Sequence, residues 1–339
     1  MRRSKGFVLA VVLVAAALIP TGMGEYRNFV LCLIGVYALG AVGLTVLIGH
    51  GGMISLGHAG FAAVGAYTTA LLMIRADVSF WIALPASGVV GGITGLLLGW
   101  PMLRLAGPYL AVATFGFSVV VPEVVGRWPA FDIGDPDLFG GAFGLSAPTP
   151  ALGGFAFDSS LRFWYVVLSV LLIGLFAAHR ILRSRWGSAL RANRDSPVAS
   201  AAFGIDTRRV RIVAFGVAGV YAGVAGGLLA HLLGVLGPGT FSLTMSLTFL
   251  TAVVLGGITS PAGALAGAAA VVLLQEGLTG RTSNLQLWYG VVLLVAVVLT
   301  RDGIAGGAAW LSDRIAGWGA RWTKSRPGLV EARSGRARR

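Results

Sequence analysis

The fold of this chain is decided by a short stretch that reads Gly49-His50-Gly51-Gly52-Met53-Ile54-Ser55-Leu56-Gly57-His58-Ala59-Gly60. The stretch is polar and rich in glycine, yet apolar segments long enough to span a bilayer lie on both sides of it. Because hydrocarbon offers no partner to a free backbone group, a broken helix survives there only where it packs against protein or lines a cavity. Membrane transporters use such breaks to present backbone dipoles to a passing solute. The stretch therefore predicts a broken, re-entrant segment near residues 49–60 of a transporter.

The composition indicates the same class of protein. Hydrophobic residues make up 56% of the 339 residues and charged residues 12%, and the mean hydropathy is +0.83. Soluble domains carry about 25% charged residues. Apolar windows of about 20 residues predict candidate spans near 7–23, 29–48, 59–75, 80–100, 105–122, 161–179, 212–233, 244–258, 263–280 and 286–300. We therefore expect an all-α polytopic membrane protein with about ten transmembrane helices, although the shorter windows also allow nine or eleven.

The charge is distributed unevenly along the chain. The formal net charge is +13, which by itself would suggest nucleic acid binding. However, basic residues are concentrated near the N-terminus, in residues 180–211 and after Arg301, whereas the loop 123–160 is acidic. Because basic loops stay in the cytoplasm, we expect both termini and the 180–211 loop inside, the 123–160 loop outside, and no nucleic acid partner. We expect residues 1–306 to form one transmembrane domain and residues 307–339 to form a basic cytoplasmic tail.

The first window has two interpretations. Arg2, Arg3 and Lys5 precede the apolar residues 7–19, as in secretory signal peptides. No small-x-small cleavage site follows, because Pro20-Thr21-Gly22-Met23-Gly24 is a poor candidate. We therefore favour an uncleaved helix; the charges of the loops do not decide, because cleavage would leave nine helices that begin outside.

Several kinds of active site find no support in the sequence. The chain has no Gly-x4-Gly-Lys-Ser/Thr phosphate loop, so we do not expect it to bind ATP or another cofactor itself. The sequence shows no nucleophile and base at a usable spacing, so we do not expect an enzyme. Cys32 is the only cysteine, and the histidines have no neighbouring acid or thiol, so we expect neither a disulfide nor a metal site. Glu276 lies near the end of a predicted span and is interpreted as an interfacial anchor.

Two polar segments remain as candidates for function. In the first, Ser55 and His58 either line a translocation path or form satisfied hydrogen bonds between helices. The second, between Arg180 and Arg211, predicts a short alanine-rich helix that ends at Gly204 as its C-cap. Such a helix either lies on the anionic inner leaflet or docks into a groove on a cytoplasmic partner. Physical reasoning alone leaves both interpretations open.

A resemblance to a known family decides between them. Residues 51–72 (GGMISLGHAGFAAVGAYTTALL) resemble the signature of branched-chain amino acid ABC permeases of the LivM type. Further segments agree in order and spacing: residues 104–109, 140–145, the basic loop with 211–230, and 256–268. The resemblance covers roughly residues 10–306. It favours the LivM type over the sister permease, which has a different first signature.

The resemblance implies which residues act. In the loop that couples to an ATPase it places Arg191, Arg194, Asp195, Ala199, Gly204 and Ile205. For the translocation path we predict Ser55, Gly57, His58, Tyr67 and Tyr109. Pro197 and Ser200 stand where many members have an acidic residue and an alanine. This departure affects the detail of docking and not the presence of the coupling element.

The resemblance further implies a permease subunit of an ATP-driven importer in the bacterial inner membrane. Its partners would be a second, related permease, two cytoplasmic ATPase subunits that bind the ATP, a periplasmic or lipid-anchored binding protein, and membrane lipid. Leucine, isoleucine and valine are the expected substrates, although similar chains carry urea, short amides or aromatic acids. The alternative from another class is a self-sufficient secondary transporter or channel with breaks at 49–60 and 234–240. The lack of intramembrane acidic residues for ion coupling disfavours it.

Overall fold

The computed structural model describes residues 18–105, 107–128, 139, 144–152, 155–278, 287, 290, 291 and 294. This part of the chain is predominantly helical. The helices are α1 (Glu25–Leu44), α2 (His58–Arg75), α3 (Phe80–Met102), α4 (Pro108–Gly126), α5 (Ser160–Arg183), α6 (Arg185–Asp195), α7 (Pro197–Ala202), α8 (Thr207–Leu233), α9 (Leu243–Gly256) and α10 (Pro261–Leu278). A π-helical segment, Thr45–His50, extends α1, and 3-10 turns lie at Ile19–Gly22 and Pro238–Phe241.

Short strands form two small antiparallel ribbons in the described residues. β1 (Leu145–Ser146) pairs with β4 (Val235–Leu236), and both residues of each strand are paired. β2 (Ala151–Leu152) and β3 (Phe155–Ala156) form a hairpin. The ribbon of β1 and β4 joins the chain before α5 to the segment that follows α8.

Six of the described helices are long and apolar enough to cross a bilayer. They are α1 with its extension (Glu25–His50), α3, α4, α5, α8 and α10. α2 has 18 residues but is less apolar, and α9 has only 14 residues. The windows at 7–23 and 286–300 lie almost wholly outside the described residues. The prediction of an all-α polytopic membrane protein is confirmed, whereas the count of about ten spans stays a prediction.

The predicted break after the first of these spans is present, with narrower limits than 49–60. The helix continues through His50, because the wider π-helical turn carries the hydrogen bonding past Gly49. Gly52 has φ +68°, a left-handed conformation that ends a helix and that side chains with a Cβ disfavour. Residues 51–57 are not helical, and α2 begins at His58. We call residues 51–57 the re-entrant segment.

Glycines hold the bundle together at close range. Gly91 on α3 and Gly219 on α8 face each other, and a Cβ on either residue would overlap the carbonyl oxygen of the other. Gly65 on α2 also lies close to α8, because a Cβ on Gly65 would overlap the carbonyl oxygen of Gly223. In lipid no hydrophobic effect drives helices together, so close backbone approach at small residues supplies the packing energy. These glycines are therefore packing positions.

α1 forms the centre of the bundle. Most of it is buried, and it packs against α5, α8, α9 and α10. The ring of Phe249 packs directly against Gly40, and the side chain of Tyr221 packs against Gly43. The hydroxyl of Tyr221 also donates to the carbonyl oxygen of Gly174 (2.7 Å). A helix surrounded on every side can carry an apolar sequence without an amphipathic pattern, which explains why its hydrophobic residues show no preferred face.

The connections between helices lie at two ends of the bundle. One end, which we call the α6–α7 end, brings together the start of the re-entrant segment, residues 102–105 with Gly107, and the connection 257–260. The opposite end carries the β ribbons, and we call it the strand end. There His231 donates through Nδ1 to the carbonyl oxygen of Pro148 (2.7 Å). The tail 307–339 and most of residues 129–143 lie outside the described residues, so the predictions for the tail and for residues 140–145 stay predictions.

Candidate translocation path and coupling surface

The end of α1, just before the re-entrant segment, is anchored at the α6–α7 end. A Cβ at Gly49 would overlap the carbonyl oxygen of Ile258, so the backbones of α1 and the α9–α10 connection touch directly. The imidazole Nε2 of His50 donates to the carbonyl oxygen of Thr259 (3.1 Å). The end of α1 is therefore joined to the connection between α9 and α10.

The second half of the segment reaches the interior of the bundle. The amide of Leu56 donates to Oγ1 of Thr114 on α4 (3.0 Å), and the amide of Ala59 donates to Oγ of Ser246 on α9 (3.0 Å). Ser246 lies ten residues before Gly256, which corresponds to about 15 Å along the helix axis. The segment thus runs inward alongside α9, and side chains satisfy backbone groups that a helix would otherwise pair.

The structure brings three of the five predicted path residues together. The hydroxyl of Ser55 accepts from the amide of Gly57 (3.2 Å), and both residues are buried next to His58 at the start of α2. His58 is fully buried with its ring edge-on to Phe61 and Phe249. Within the described part of the chain neither of its ring nitrogens has a hydrogen-bond partner. Such buried, unpaired polar groups are rare and costly in native structures, which makes His58 a candidate functional residue.

The other two predicted path residues lie elsewhere. Tyr67 is buried more than two turns further along α2, where its ring packs against Phe139 and Phe241. Its hydroxyl has no partner among the residues that the structure describes. Tyr109 lies at the start of α4 and is 75% exposed. The sequence motif therefore groups residues that the fold separates.

The coupling loop forms two helices, and the prediction of a single short helix was wrong. Ser196 is extended, with φ −157°, and separates α6 from α7. Pro197 at the start of α7 has no amide hydrogen to continue α6, and the hydroxyl of Ser196 accepts from the amide of Ala199 (3.2 Å) instead. Proline at the first position and serine at the N-cap together favour a new helix start.

The prediction that Gly204 ends the helix is consistent with the structure. Gly204 has φ +78°, and its amide donates to the carbonyl oxygen of Ala201 (3.0 Å). The amide of Ile205 donates to the carbonyl oxygen of Ser200 (3.0 Å). This pair of bonds is a Schellman motif, which closes a helix at a left-handed glycine. Gly204 and Ile205 therefore set the end of α7.

Arg194 joins α6 to the re-entrant segment. Its Nη1 donates to the carbonyl oxygen of Gly49, and a Cβ at Gly52 would lie 2.9 Å from its Cγ. On the same helix, Leu190 and Asn193 are buried, and the Asn193 amide has no hydrogen-bond partner among the described residues. The sequence analysis missed Leu190 and Asn193. Their spacing of three residues on one helical face was the available signal.

The remaining predicted coupling residues have different surroundings. Arg191 donates to the carbonyl oxygen of Leu182 (2.8 Å) and thereby ties α6 to the end of α5. Asp195 and Ala199 are exposed. The most exposed apolar side chains of this region are Val198 and Phe203, at 82% and 87% exposure, and the sequence analysis did not single them out. Large apolar residues in a basic, alanine-rich segment were the only signal for them.

Comparison with known sequences establishes the family. The family described as "Branched-chain amino acid transport system / permease component" matches residues 26–300. The chain belongs to this permease family. It is 30% identical over 329 residues to the high-affinity branched-chain amino acid transport system permease protein LivM of Salmonella typhimurium, with 89% of this chain and 75% of the relative covered. Identity and coverage are the same for LivM of Escherichia coli.

This permease is also similar to the second permease type. It is 29% identical over 246 residues to LivH of Salmonella typhimurium, with 68% of this chain and 78% of LivH covered. No solved structure matches the chain at the same level of significance. The predicted LivM-type resemblance is thus confirmed, and the family membership makes the chain a permease component of a transport system.

Two further predictions concern single groups. The hydroxyl of Tyr26 at the start of α1 donates to the carboxylate of Glu276 in the last turn of α10, at the strand end of the permease. This contact agrees with an interfacial anchor at Glu276. In the ranges that the structure describes, no three potential metal-ligating side chains lie together, and the expected absence of a metal site stays a prediction.

Proposed function

We propose that this permease is one subunit of an ATP-driven importer for leucine, isoleucine and valine in the bacterial inner membrane. Family membership and the similarity to LivM support the proposal. The additional similarity to LivH supports pairing with a second, homologous permease. Two cytoplasmic ATPase subunits and an external binding protein complete the proposed importer, and the permease itself has no catalytic role.

In this proposal the α6–α7 end faces the cytoplasm. Arginines are concentrated there, whereas acidic residues such as Asp158 and Glu276 lie towards the strand end, in keeping with the positive-inside rule. Six described helices qualify as spans. We add α2, α9 and the windows 7–23 and 286–300, which gives the expected total of about ten. Both termini are then cytoplasmic.

α7 is the proposed docking element for the ATPase. Val198 and Phe203 project from it with little contact to the rest of the chain. An apolar side chain this exposed on a short helix is suited to a pocket on a partner, where aromatic anchors contribute most of the binding energy. Arg191 holds α6 against the end of α5. A displacement of α7 by the ATPase would therefore move α6 and α7 together.

One observation carries the proposal: α6 touches the re-entrant segment directly. The hydrogen bond from Arg194 to Gly49 and the contact with Gly52 join the coupling element to the end of α1. His50 extends this connection to Thr259 between α9 and α10. We infer that ATP-driven movement of α6 and α7 is transmitted through Arg194 to the re-entrant segment, which then changes the access of the path.

The proposed path passes the start of α2, where Ser55 and His58 lie beside Ser246. The free amides at a helix N-terminus carry partial positive charge, which suits the carboxylate of an amino acid. We place the second permease against α4, because α4 is the least buried of the candidate spans. Tyr109 on its exposed surface then faces the partner.

The proposal is tested by purification and uptake. The tagged permease is isolated from its native membrane in mild detergent, and the proteins that accompany it are identified by mass spectrometry. A second polytopic permease and an ATPase with a phosphate loop are expected, and proteoliposomes of the complex should accumulate labelled leucine only with ATP. Isolation of the chain alone, under conditions in which a control importer stays assembled, would support a self-sufficient transporter instead.

The docking role of α7 has its own test. Phe203→Ser is expected to reduce co-purification of the ATPase and leucine uptake together, because it removes the exposed apolar anchor. Leu233→Ser at the far end of α8, also partly exposed at 40%, is the matched control and should retain the ATPase. Equal ATPase recovery with both variants would refute docking at Phe203.

A further inference from the structure

A basic pocket lies at the α6–α7 end between α3 and α8. Its volume is about 640 Å³, and its lining includes Trp100 and the three arginines Arg104, Arg208 and Arg211. These helices are held together by the glycine contacts described above, so the pocket sits at the end of a rigid seam. Pro197, the first residue of α7, also lines the pocket, whereas the residues of the path and of the Arg194–Gly49 contact do not.

The positive charge of the pocket is not balanced by the described residues. Asp206, the nearest acid in sequence, pairs with Arg209 (3.0 Å), which does not line the pocket. Within the described ranges no carboxylate pairs with Arg104, Arg208 or Arg211, and the buried Nε of Arg211 has no hydrogen-bond acceptor. Guanidinium groups without acceptors are suited to a phosphate, which accepts paired hydrogen bonds from each fork.

An apolar stripe leads from the membrane interior to this pocket. On α3, Val89, Ile93 and Leu97 follow at intervals of four residues and are all exposed. The same face continues to Trp100, which is 70% exposed, and then to Arg104. Tryptophan is enriched at the level of lipid head groups. The apolar side chains, Trp100 and Arg104 therefore follow one another in the same order as the acyl chain, the interfacial region and the phosphate of a phospholipid.

We propose that this pocket binds the phosphate group of an anionic phospholipid, whose acyl chain lies along α3. Basic pockets between transmembrane helices are known sites for anionic head groups. The lipid would fill the cleft at the end of the α3–α8 seam and stabilise the arginines next to α7. The proposal requires only that the bundle lies in a membrane, and it is independent of the transported substrate.

The test compares lipids on the purified, delipidated permease. Phosphatidylglycerol and phosphatidylcholine with identical acyl chains are titrated, and bound lipid is counted by native mass spectrometry. Phosphatidylglycerol is expected to bind more tightly, and the Arg208→Gln/Arg211→Gln variant should weaken its binding by about tenfold. The control variant Arg180→Gln/Arg183→Gln removes two exposed arginines from the last turn of α5 and should leave binding unchanged.

Several outcomes would overturn the proposal. Equal binding of phosphatidylglycerol and phosphatidylcholine would overturn it, as would an equal loss of phosphatidylglycerol binding in the Arg208→Gln/Arg211→Gln and Arg180→Gln/Arg183→Gln variants. Displacement of phosphatidylglycerol by an equal concentration of inorganic phosphate would indicate a site for a soluble anion. Loss of the ATPase from the Arg208→Gln/Arg211→Gln complex with lipid binding intact would indicate a protein contact instead. If that variant does not fold, Arg208→Lys/Arg211→Lys keeps the charge but not the paired donors, and it should weaken phosphatidylglycerol binding in the same direction.

Discussion

At the scale of single residues, Arg194 is the residue on which the coupling proposal depends most. It lies in the coupling element by sequence, yet its guanidinium donates to Gly49, 145 positions earlier in the chain. The neighbouring Asp195 is exposed. Adjacent residues of one motif therefore differ in their contacts: Arg194 forms a hydrogen bond to the bundle, and Asp195 is exposed.

Arg194→Ala is expected to separate ATP hydrolysis from transport. A hydrogen bond from a charged donor contributes about 1.5–3 kcal/mol, so loss of this contact should reduce ATP-dependent leucine uptake by roughly tenfold while the assembled complex still hydrolyses ATP. Uptake and ATPase activity are measured on the same proteoliposomes. The control is Arg185→Ala, an exposed arginine of the same helix, which should retain both activities. Parallel loss of hydrolysis and uptake in Arg194→Ala would contradict a role in transmission.

Gly204→Ala should destabilise the end of α7. The residue has φ +78°, and a left-handed conformation costs a residue with a Cβ about 1–2 kcal/mol. We expect lower thermal stability in detergent and weaker binding of the ATPase, because the orientation of Phe203 depends on the helix end. Gly237→Ala is the matched control, since Gly237 has φ −105° and open space around it. Equal stability of the two variants would show that the Schellman motif is unimportant.

At the scale of elements, α3 and α8 share the most extensive contact among the described helices. The two backbones touch at Gly91 and Gly219, so their separation leaves no room for a methyl group. The same seam positions Arg211 and the pocket at its end. A change in the middle of the seam should therefore affect both the stability of the bundle and the geometry of its α6–α7 end.

Gly219→Ala tests this packing with the smallest possible change. Alanine is about 1 kcal/mol better than glycine in a helix interior, so a gain in stability is expected wherever space allows. At Gly219 the added Cβ would overlap the carbonyl oxygen of Gly91, and forced overpacking costs about 1–3 kcal/mol. We expect Gly219→Ala to lower the unfolding temperature in detergent. The control Gly277→Ala should leave the unfolding temperature unchanged or raise it, because Gly277 has open space around it. A rise in both variants would disprove the close contact.

At the scale of the whole molecule, the two ends of the bundle differ in charge and in structure. The α6–α7 end carries the arginine-rich helices, and the strand end carries the β ribbons with Asp158 and Glu276. This asymmetry is the basis for the proposed orientation. It also places the coupling helices, the re-entrant segment and the basic pocket on the same side of the membrane.

The orientation is tested with single cysteines in a Cys32→Ala background. Cys32 is fully buried, so its removal simplifies labelling without opening a surface site. A membrane-impermeant thiol reagent should label Asp158→Cys in intact spheroplasts, because this residue is exposed at the strand end. It should label Arg185→Cys only after the membrane is permeabilised. The opposite pattern would invert the topology and remove α7 from the reach of a cytoplasmic ATPase.

Sequence reasoning reached the membrane class, the break after the first described span and the end of α7 at Gly204. These features depend on local physics: apolar length, the cost of unpaired backbone groups in hydrocarbon and the conformational freedom of glycine. The resemblance to LivM permeases added the expected role of the basic loop 180–211 as a coupling element. Its division into α6 and α7 was also encoded locally, by Ser196 and Pro197, but this signal was overlooked.

The sequence by itself thus determined that the chain is a polytopic membrane permease and roughly where its special segments lie, because those properties follow from composition and short-range pattern. Only the tertiary structure decided which segments meet. The contact of Arg194 with Gly49, the separation of Tyr109 from His58 and the exposure of Phe203 all depend on how distant helices pack. In a bundle of uniformly apolar helices, small residues permit many pairings, and no periodic pattern in the chain specifies which of them is formed.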